Sequence, residues 1–185
     1  EATLSSDFAP DSQPIILRDV DLTISPTAQA AAPGGWPSLK IDANAVSPQL
    51  KHLELHGTVD GPQQLVTAAA TMQGIQLDEQ LIAWIRPALP AVVAGTRLSG
   101  VVDGTLNVAW QRGAAGPPAG VASFALRNGR VEDPRLPRPI TELAARIKLD
   151  SAELKVEDLS AKWGPSTLGL ALTRKGWTPN AGIAI

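Results

Sequence analysis

Cysteine and tyrosine are absent from the 185 residues, and there are only two histidines, two phenylalanines and one methionine. Lacking cysteine, the chain has no disulfide framework, thiolate metal site or cysteine nucleophile; compartment is left open, since a cytosol and an envelope space suit it equally. Two histidines supply few general bases. Neither a Gly-x-Ser-x-Gly elbow nor a Gly-Lys-Ser/Thr phosphate loop occurs, which removes the commonest hydrolase and nucleotide-binding signatures. Charged residues are 18% of the chain and nearly balanced, with a net charge of −2. That balance does not suit a nucleic-acid clamp working by counterion release. The longest apolar stretches, such as 87–96, are short and cut by proline, well below the roughly 20 residues that span a bilayer. No basic segment followed by an apolar one reads as a signal peptide. Asp19 with Asp21, and Glu153 with Glu157 and Asp158, are candidate paired carboxylates. Such acids more often form the polar face of a strand or the rim of a turn, and a glycosidase usually adds aromatic platforms. The expectation is a non-enzyme with no catalytic residue, no metal and no cofactor.

What is present is apolar mass in a period of two. Hydrophobic residues make up 44%, enough to bury a core and too much for a disordered polyelectrolyte. Leu98, Val102, Leu106, Val108 and Trp110 share one parity, with Ser99, Asp103, Thr105, Asn107 and Gln111 on the other. Alternation of that length predicts a long strand with one wet face. The pattern returns in Leu39 and Ile41, in Leu53, Leu55 and Val59, in Ile147 and Leu149, and in Leu168, Leu170 and Leu172. Ile16, Val20, Leu22 and Ile24, set against Asp19, Asp21 and Thr23, make a further case. The predicted class is mostly β, a single β-rich domain over 1–185. The chain starts at Glu1 and stops at Ile185 in mid-alternation, and reads as a piece of a longer protein.

Turn chemistry punctuates the strands. Asp60-Gly61, Asp103-Gly104 and Asn128-Gly129 tolerate positive φ and suit turns or bulges. Asp103-Gly104 keeps the phase of its strand, so it reads as an exposed strand glycine. Residues 26–37 and 113–120 read as flexible loops. The apolar parity slips between Val156 and Leu159, as a β-bulge would make it. Residues 78–89 break the rhythm and predict a short helix, with Asp78 as cap, Leu81, Trp84 and Ile85 at helical spacing, and Pro87 and Pro90 ending it. Residues 139–145 could start a helix, but Leu143, Ala145, Ile147 and Leu149 alternate as a strand does. His56 to Gly61 resembles Ser99 to Gly104, a short repeat consistent with duplicated hairpins.

His52, Glu54 and His56 are the one cluster of metal-ligand type. On a strand they share a face, yet the first and last stand roughly 13 Å apart, too far to meet on one ion; they read as the wet face behind Leu53 and Leu55. Trp110 and Trp163 fall near strand ends in phase with the apolar face, as core or rim, or as an amphipathic ring at the mouth of a groove.

Three stretches resemble one family. Residues 72–90 resemble its strand leading into a short helix. Leu98-Ser99-Gly100-Val101-Val102-Asp103-Gly104-Thr105-Leu106 is similar to its recurring L-x-G-x-V-D-G-x-L strand. The run from Phe124 through Asn128-Gly129, Leu136-Pro137, Leu143 and Leu154 to Gly164 and Leu168 resembles its succession of strand, N-G turn, loop and strands. The family is the AsmA-like, TamB-related envelope proteins of the repeating β-groove, or bridge-like lipid-transfer, superfamily. The resemblance implies a curved half-pipe of long antiparallel strands whose apolar β-groove carries phospholipid or other acyl lipid passively between membranes, in outer-membrane biogenesis. It implies a periplasmic location, a parent anchored in the inner membrane, and neighbouring repeats joined by edge-strand pairing. Moving an acyl CH₂ into water costs about 0.8 kcal/mol, so a 16-carbon chain costs on the order of 13 kcal/mol; a lipid crossing water needs a continuous apolar surface. Parity nominates the lining: Leu39, Ile41, Leu53, Leu55, Leu98, Val102, Leu106, Val108, Trp110, Ile147, Leu149, Leu168, Leu170 and Leu172. The small residues Ala43, Ala45, Ala125 and Ala145 would also point inward. The competing class is a closed β-sandwich filled by its own side chains, serving as a spacer or interaction module. Two phenylalanines and no tyrosine are thin filling for such a core.

Overall fold

Every strand of this chain is bonded to its neighbours in sequence, so the sheet is a pure antiparallel meander in the order β1 to β11. A computed structural model describes residues 2–4, 15–27, 37–85, 95–114, 119–175 and 183–184. The strands are β1 (Ala2–Leu4), β2 (Ile15–Pro26), β3 (Leu39–Ser47), β4 (Leu50–Asp60), β5 (Leu65–Leu77), β6 (Arg97–Gln111), β7 (Ala119–Glu132), β8 (Ile140–Asp150), β9 (Glu153–Trp163), β10 (Ser166–Lys175) and β11 (Ile183–Ala184), with helix α1 (Glu79–Ile85) between β5 and β6. Nine long strands, β2 to β10, form one sheet that does not close into a barrel; it fits the curved half-pipe.

Register sorts the side chains into two faces. Paired residues of antiparallel strands point the same way, so a row can be followed across the sheet. One row runs Leu22, Ala43, Leu55, Ala70, Leu106, Ala122, Leu149, Leu154. The next runs Ala45, Leu53, Met72, Gly104, Phe124, Ile147, Val156, Leu172. The opposite face carries Asn44, Glu54, Thr71, Thr105, Ser123, Lys148 and Lys155 in one row. Large and small residues alternate along the first row from Leu22 to Leu149. Four of the six buried hydrophobic residues among those described are alanines: Ala45, Ala122, Ala145 and Ala161. Each is shaded by larger neighbours on its own face. Ala122, for example, sits between Leu106 and Leu149. Among the described residues no large side chain is fully buried, as expected for one layer without a second stacked on it.

A row of bulges crosses one end of the sheet. Asp19, Gly74, Asn128, Glu142 and Asp158 all have φ between 47° and 65°. Each lies where its strand gains one residue on a neighbour: Asp19 in β2, Gly74 in β5, Asn128 in β7, Glu142 in β8 and Asp158 in β9. Such insertions bend a strand and deepen its twist. The slip anticipated between Val156 and Leu159 is the Asp158 bulge. Asn128-Gly129 is likewise a bulge inside β7, whereas the family resemblance implied a turn; the positive φ that would close a turn here absorbs an extra strand residue. In β2 the bulge reverses parity, so that Leu17, not Ile16, joins the apolar face, with Leu17 buried beside Ala45.

Other expectations meet the structure unevenly. Asp60-Gly61 opens the β4–β5 turn, and residues 140–150 are strand throughout. The two copies of the short repeat are not equivalent: the first runs out of β4 into that turn, and the second lies wholly within β6. Ala119 and Gly120, read as loop, begin β7. Residues 115–118, and 28–36 of the other loop, lie outside the described residues. Pro26 closes β2. The helix is described over Glu79–Ile85, and 86–89 with Pro87 and Pro90 fall outside the described residues. Its cap is as expected, the Asp78 carboxylate accepting the Leu81 amide at 2.8 Å and satisfying an otherwise unpaired first-turn donor.

Candidate functional site: the apolar face

All fourteen residues nominated from parity fall on one face of the sheet. Leu55, Leu106 and Leu149 stand in the first row above, and Leu53, Ile147 and Leu172 in the second. Ile41 and Val108 share a third row with Ile24, Gly57 and Ala68. Leu39 and Trp110 share a fourth with Val59 and Val66. Val102 pairs with Leu126, and Leu98 with Val131; Leu168 pairs with Ala161, and Leu170 with Leu159. Ala43, Ala45 and Ala145 are on this face too. Ala125 is not: it pairs with Asp103 and Arg146 on the wet side, because Ala122, Phe124 and Leu126 hold the apolar phase of β7. Parity missed Met72, Phe124, Val156 and Leu159, which complete the face. Phe124 could have been found from its spacing to Ala122 and Leu126.

The face is open. Leu22 and Ile24 are each 56% exposed, and Leu106, Trp110, Leu168 and Leu170 lie between 37% and 40%. Among the described residues it is covered at the bulge end, where Leu81 of α1 and Leu53 pack on Leu17 and Ala45. The helix is tied to the sheet rim by the Gln49 amide donating to Gln80 Oε1 at 2.9 Å and by Arg97 with Glu79 at 3.6 Å. Trp163, the last residue of β9, is 40% exposed and donates its indole N–H to the Arg138 carbonyl at 3.3 Å. It is an apolar body with a polar tip at the rim.

The V-D-G segment of β6 has a local physical role. The Asp103 carboxylate accepts the Gly74 amide at 2.8 Å and also pairs with Arg127 of β7, clamping the β5 bulge to the next two strands. Gly104 is buried, not exposed as expected: a Cβ there would stand 2.6 Å from Phe124 Cδ1, so the glycine is the seat of the phenylalanine ring. Gly100 serves similarly, its Cβ position lying 2.9 Å from Leu126.

The opposite face is laced with ion pairs. His56 lies between two carboxylates, with Nδ1 2.7 Å from Asp42 and Nε2 3.0 Å from Glu54; hydrogen bonds that Asp42 and then Glu54 accept from the ring raise its pKa, while that of Asp42 is lowered. His52, Glu54 and His56 therefore do stand on one wet face, with the His56 ring engaged by carboxylates from its own and the next strand. Glu157 is held below the usual carboxylate range by Lys155 and Lys148. Asp133, after β7, is held far lower by Arg135 and Thr96. A depression of about 800 Å³ lies on this face, floored by Ala69, Ala109 and Val121 and rimmed by Lys40, His56 and Asn107. It owes its depth to small side chains, and its charged rim groups are engaged with Asp42 and Glu54. Of the fourteen apolar residues only Val108 touches it, so it is a feature apart from the apolar face.

No protein-family model, curated protein or solved structure matches this chain.

Proposed function

We propose that the apolar face holds the acyl chains of a phospholipid or similar lipid, leaving headgroups in water, and that the chain is one segment of a passive lipid path across a cell envelope. The observation that carries this reading is the single open sheet with fourteen aliphatic and indole side chains on one face, which the helix covers at one end and leaves open over Leu22, Ile24, Leu106 and Trp110. An exposed apolar surface of that extent is costly in water and marks a site that something apolar covers. A lipid chain meets that need without a base, nucleophile or metal. A filled sandwich would need a second layer, and the sheet is one layer thick. The sequence resemblance to AsmA-like and TamB-related proteins supports the same reading. With it come the periplasmic location, the inner-membrane anchor of a parent protein and a role in outer-membrane biogenesis.

Native mass spectrometry of the chain, expressed in bacteria and purified without detergent, tests this directly. The expected result is co-purified phospholipid, lost when Val102 and Leu106 are both replaced by Asp. Val102 is half-buried against Leu126, so a second variant guards against misfolding: Leu22→Asp with Ile24→Asp, at the most exposed positions of the face. A folded protein that carries no lipid, and takes none from phosphatidylglycerol vesicles, overturns the proposal.

A further inference from the structure

Between β7 and β8 the chain reads Asp-Pro-Arg-Leu-Pro-Arg-Pro over 133–139, three prolines in seven residues. The prolines fix much of the backbone, and Asp133 fastens the rest. Its carboxylate accepts the Arg135 amide at 2.8 Å, the Thr96 hydroxyl at 2.7 Å and the Arg135 guanidinium. Its carbonyl accepts the Leu136 amide at 2.9 Å. At the other end of the loop the Arg138 carbonyl accepts the Trp163 indole N–H. The Arg138 guanidinium is seated against Gly164, where a Cβ would stand 3.2 Å from Nη1. The loop is held at both ends and presents its side chains from a fixed frame.

This loop walls a pocket of about 480 Å³ at the rim of the sheet, lined by Arg97, Arg130 and Arg138, by Glu132 and Asp133, and by proline rings. The acids are outweighed. Asp133 is already satisfied by Thr96 and Arg135. Glu132 takes Nε of Arg130 at 2.7 Å, which leaves the Nη groups of that arginine without an acceptor among the described residues. Arg97 meets Glu79 only at 3.6 Å, with both side chains largely exposed, and such pairs are weak. The Arg138 guanidinium has no carboxylate partner among the described residues. Guanidinium forks with donors to spare, beside apolar walls, match an anion that offers several acceptor oxygens, as phosphate does. A cation would meet the same excess of arginine as repulsion. We infer that the rim pocket is an oxyanion site that holds the phosphate of a lipid headgroup; the inference rests on the reading of the apolar face as an acyl-chain site. Position joins the two. The apolar row of Val131, Ile140 and Trp163 ends at this loop, and Leu98 follows Arg97 directly in β6. A phosphate held in the pocket therefore sits just beyond the apolar rows, and its acyl chain runs onto Leu98 and Val131. Trp163, with its polar tip on the loop, stands at the boundary.

Isothermal titration calorimetry on the full chain with three probes tests this. Lauroyl lysophosphatidic acid carries both chain and phosphate, lauroyl glycerol keeps the chain alone, and glycerol 3-phosphate keeps the phosphate alone. The lysophosphatidate is expected to bind about tenfold or more tightly than lauroyl glycerol, the order that charge-assisted hydrogen bonds to one phosphate supply. Glycerol 3-phosphate should bind far more weakly than the lysophosphatidate. Arg97→Gln with Arg138→Gln, both at exposed positions, should bring the lysophosphatidate down to the level of lauroyl glycerol. The affinity for lauroyl glycerol should not move, which shows that the double variant is folded. Arg146→Gln, an exposed β8 position outside the pocket, should leave the preference intact. Equal affinity of the wild type for the two acyl probes overturns the inference and leaves the acyl-chain reading standing. Glycerol 3-phosphate binding as tightly as the lysophosphatidate overturns the lipid source in favour of a free phosphate compound. Failure of both acyl probes to bind is the failure of the acyl-chain reading itself, and the inference falls with it.

Discussion

The two faces of this sheet are built from the same strands, residue by residue, and answer to opposite rules. Ala122 and Ser123 are neighbours in β7. Ala122 is buried between Leu106 and Leu149, while Ser123 stands between Thr105 and Lys148 on the wet side. The apolar face achieves burial by alternating size, with leucines shading alanines. The wet face achieves none and relies on ion pairs that water screens. In a single-layer sheet, then, side-chain volume matters on one face and hardly at all on the other. The largest expected effect tests this on those two residues. Ala122→Asp puts a carboxylate among leucines and should cost about 3 kcal/mol or more in urea unfolding, whereas Ser123→Asp, facing Lys148, should change stability by no more than about 0.5 kcal/mol.

A smaller effect is expected where backbones approach closely. A Cβ on Gly129 would stand 2.8 Å from both the Cβ and the carbonyl oxygen of Leu143. Gly129→Ala should therefore cost about 1–3 kcal/mol by overpacking, measured by the same unfolding curves. Gly169→Ala, whose Cβ would meet only the Leu159 carbonyl at an ordinary 3.9 Å, is the control and should cost far less. Smaller still is Val121→Thr. Val121 is an apolar residue on the wet face and 55% exposed; the change should stay within about 0.5 kcal/mol and leave any bound lipid in place. The faintest effect is a pH dependence confined to the wet face. The His56 pKa is raised by Asp42 and Glu54, so its stabilising contribution is complete below the ordinary value near 6.5 and is lost as pH rises through the elevated folded value. NMR titration should place His56 above the ordinary histidine value, and Asp42→Asn should bring it back down, with any bound lipid unaffected.

The face of the sheet was legible from sequence because leucine, isoleucine and valine mark their side of a strand unambiguously. What escaped was carried by residues that mark no side. Ala125 was assigned inward because alanine fits either face, and only the Phe124–Leu126 phase places it outward. The Asp19 bulge was invisible because Ile16 and Leu17 are both apolar, so either register reads well. The Asp158 bulge could be read because Val156 and Leu159 show the slip directly. Gly104 was taken as exposed because a glycine has no side chain to report burial; the ring of Phe124, one strand away, decides it. The helix was readable through its capping aspartate, while the packing of Leu81 on Leu17, a contact across four strands, leaves no mark in local pattern.

The meander carries one more consequence. Each strand pairs only with the strand before and the strand after it, so no pairing waits on a distant part of the chain. Contacts of this kind close small loops, which lowers the entropy cost of each step and speeds folding relative to sheets with long crossovers. A chain made or delivered from its N-terminus can lay each strand on the last as it arrives, the newest strand always serving as the template for the next. Growth of the sheet and growth of the chain are then the same process.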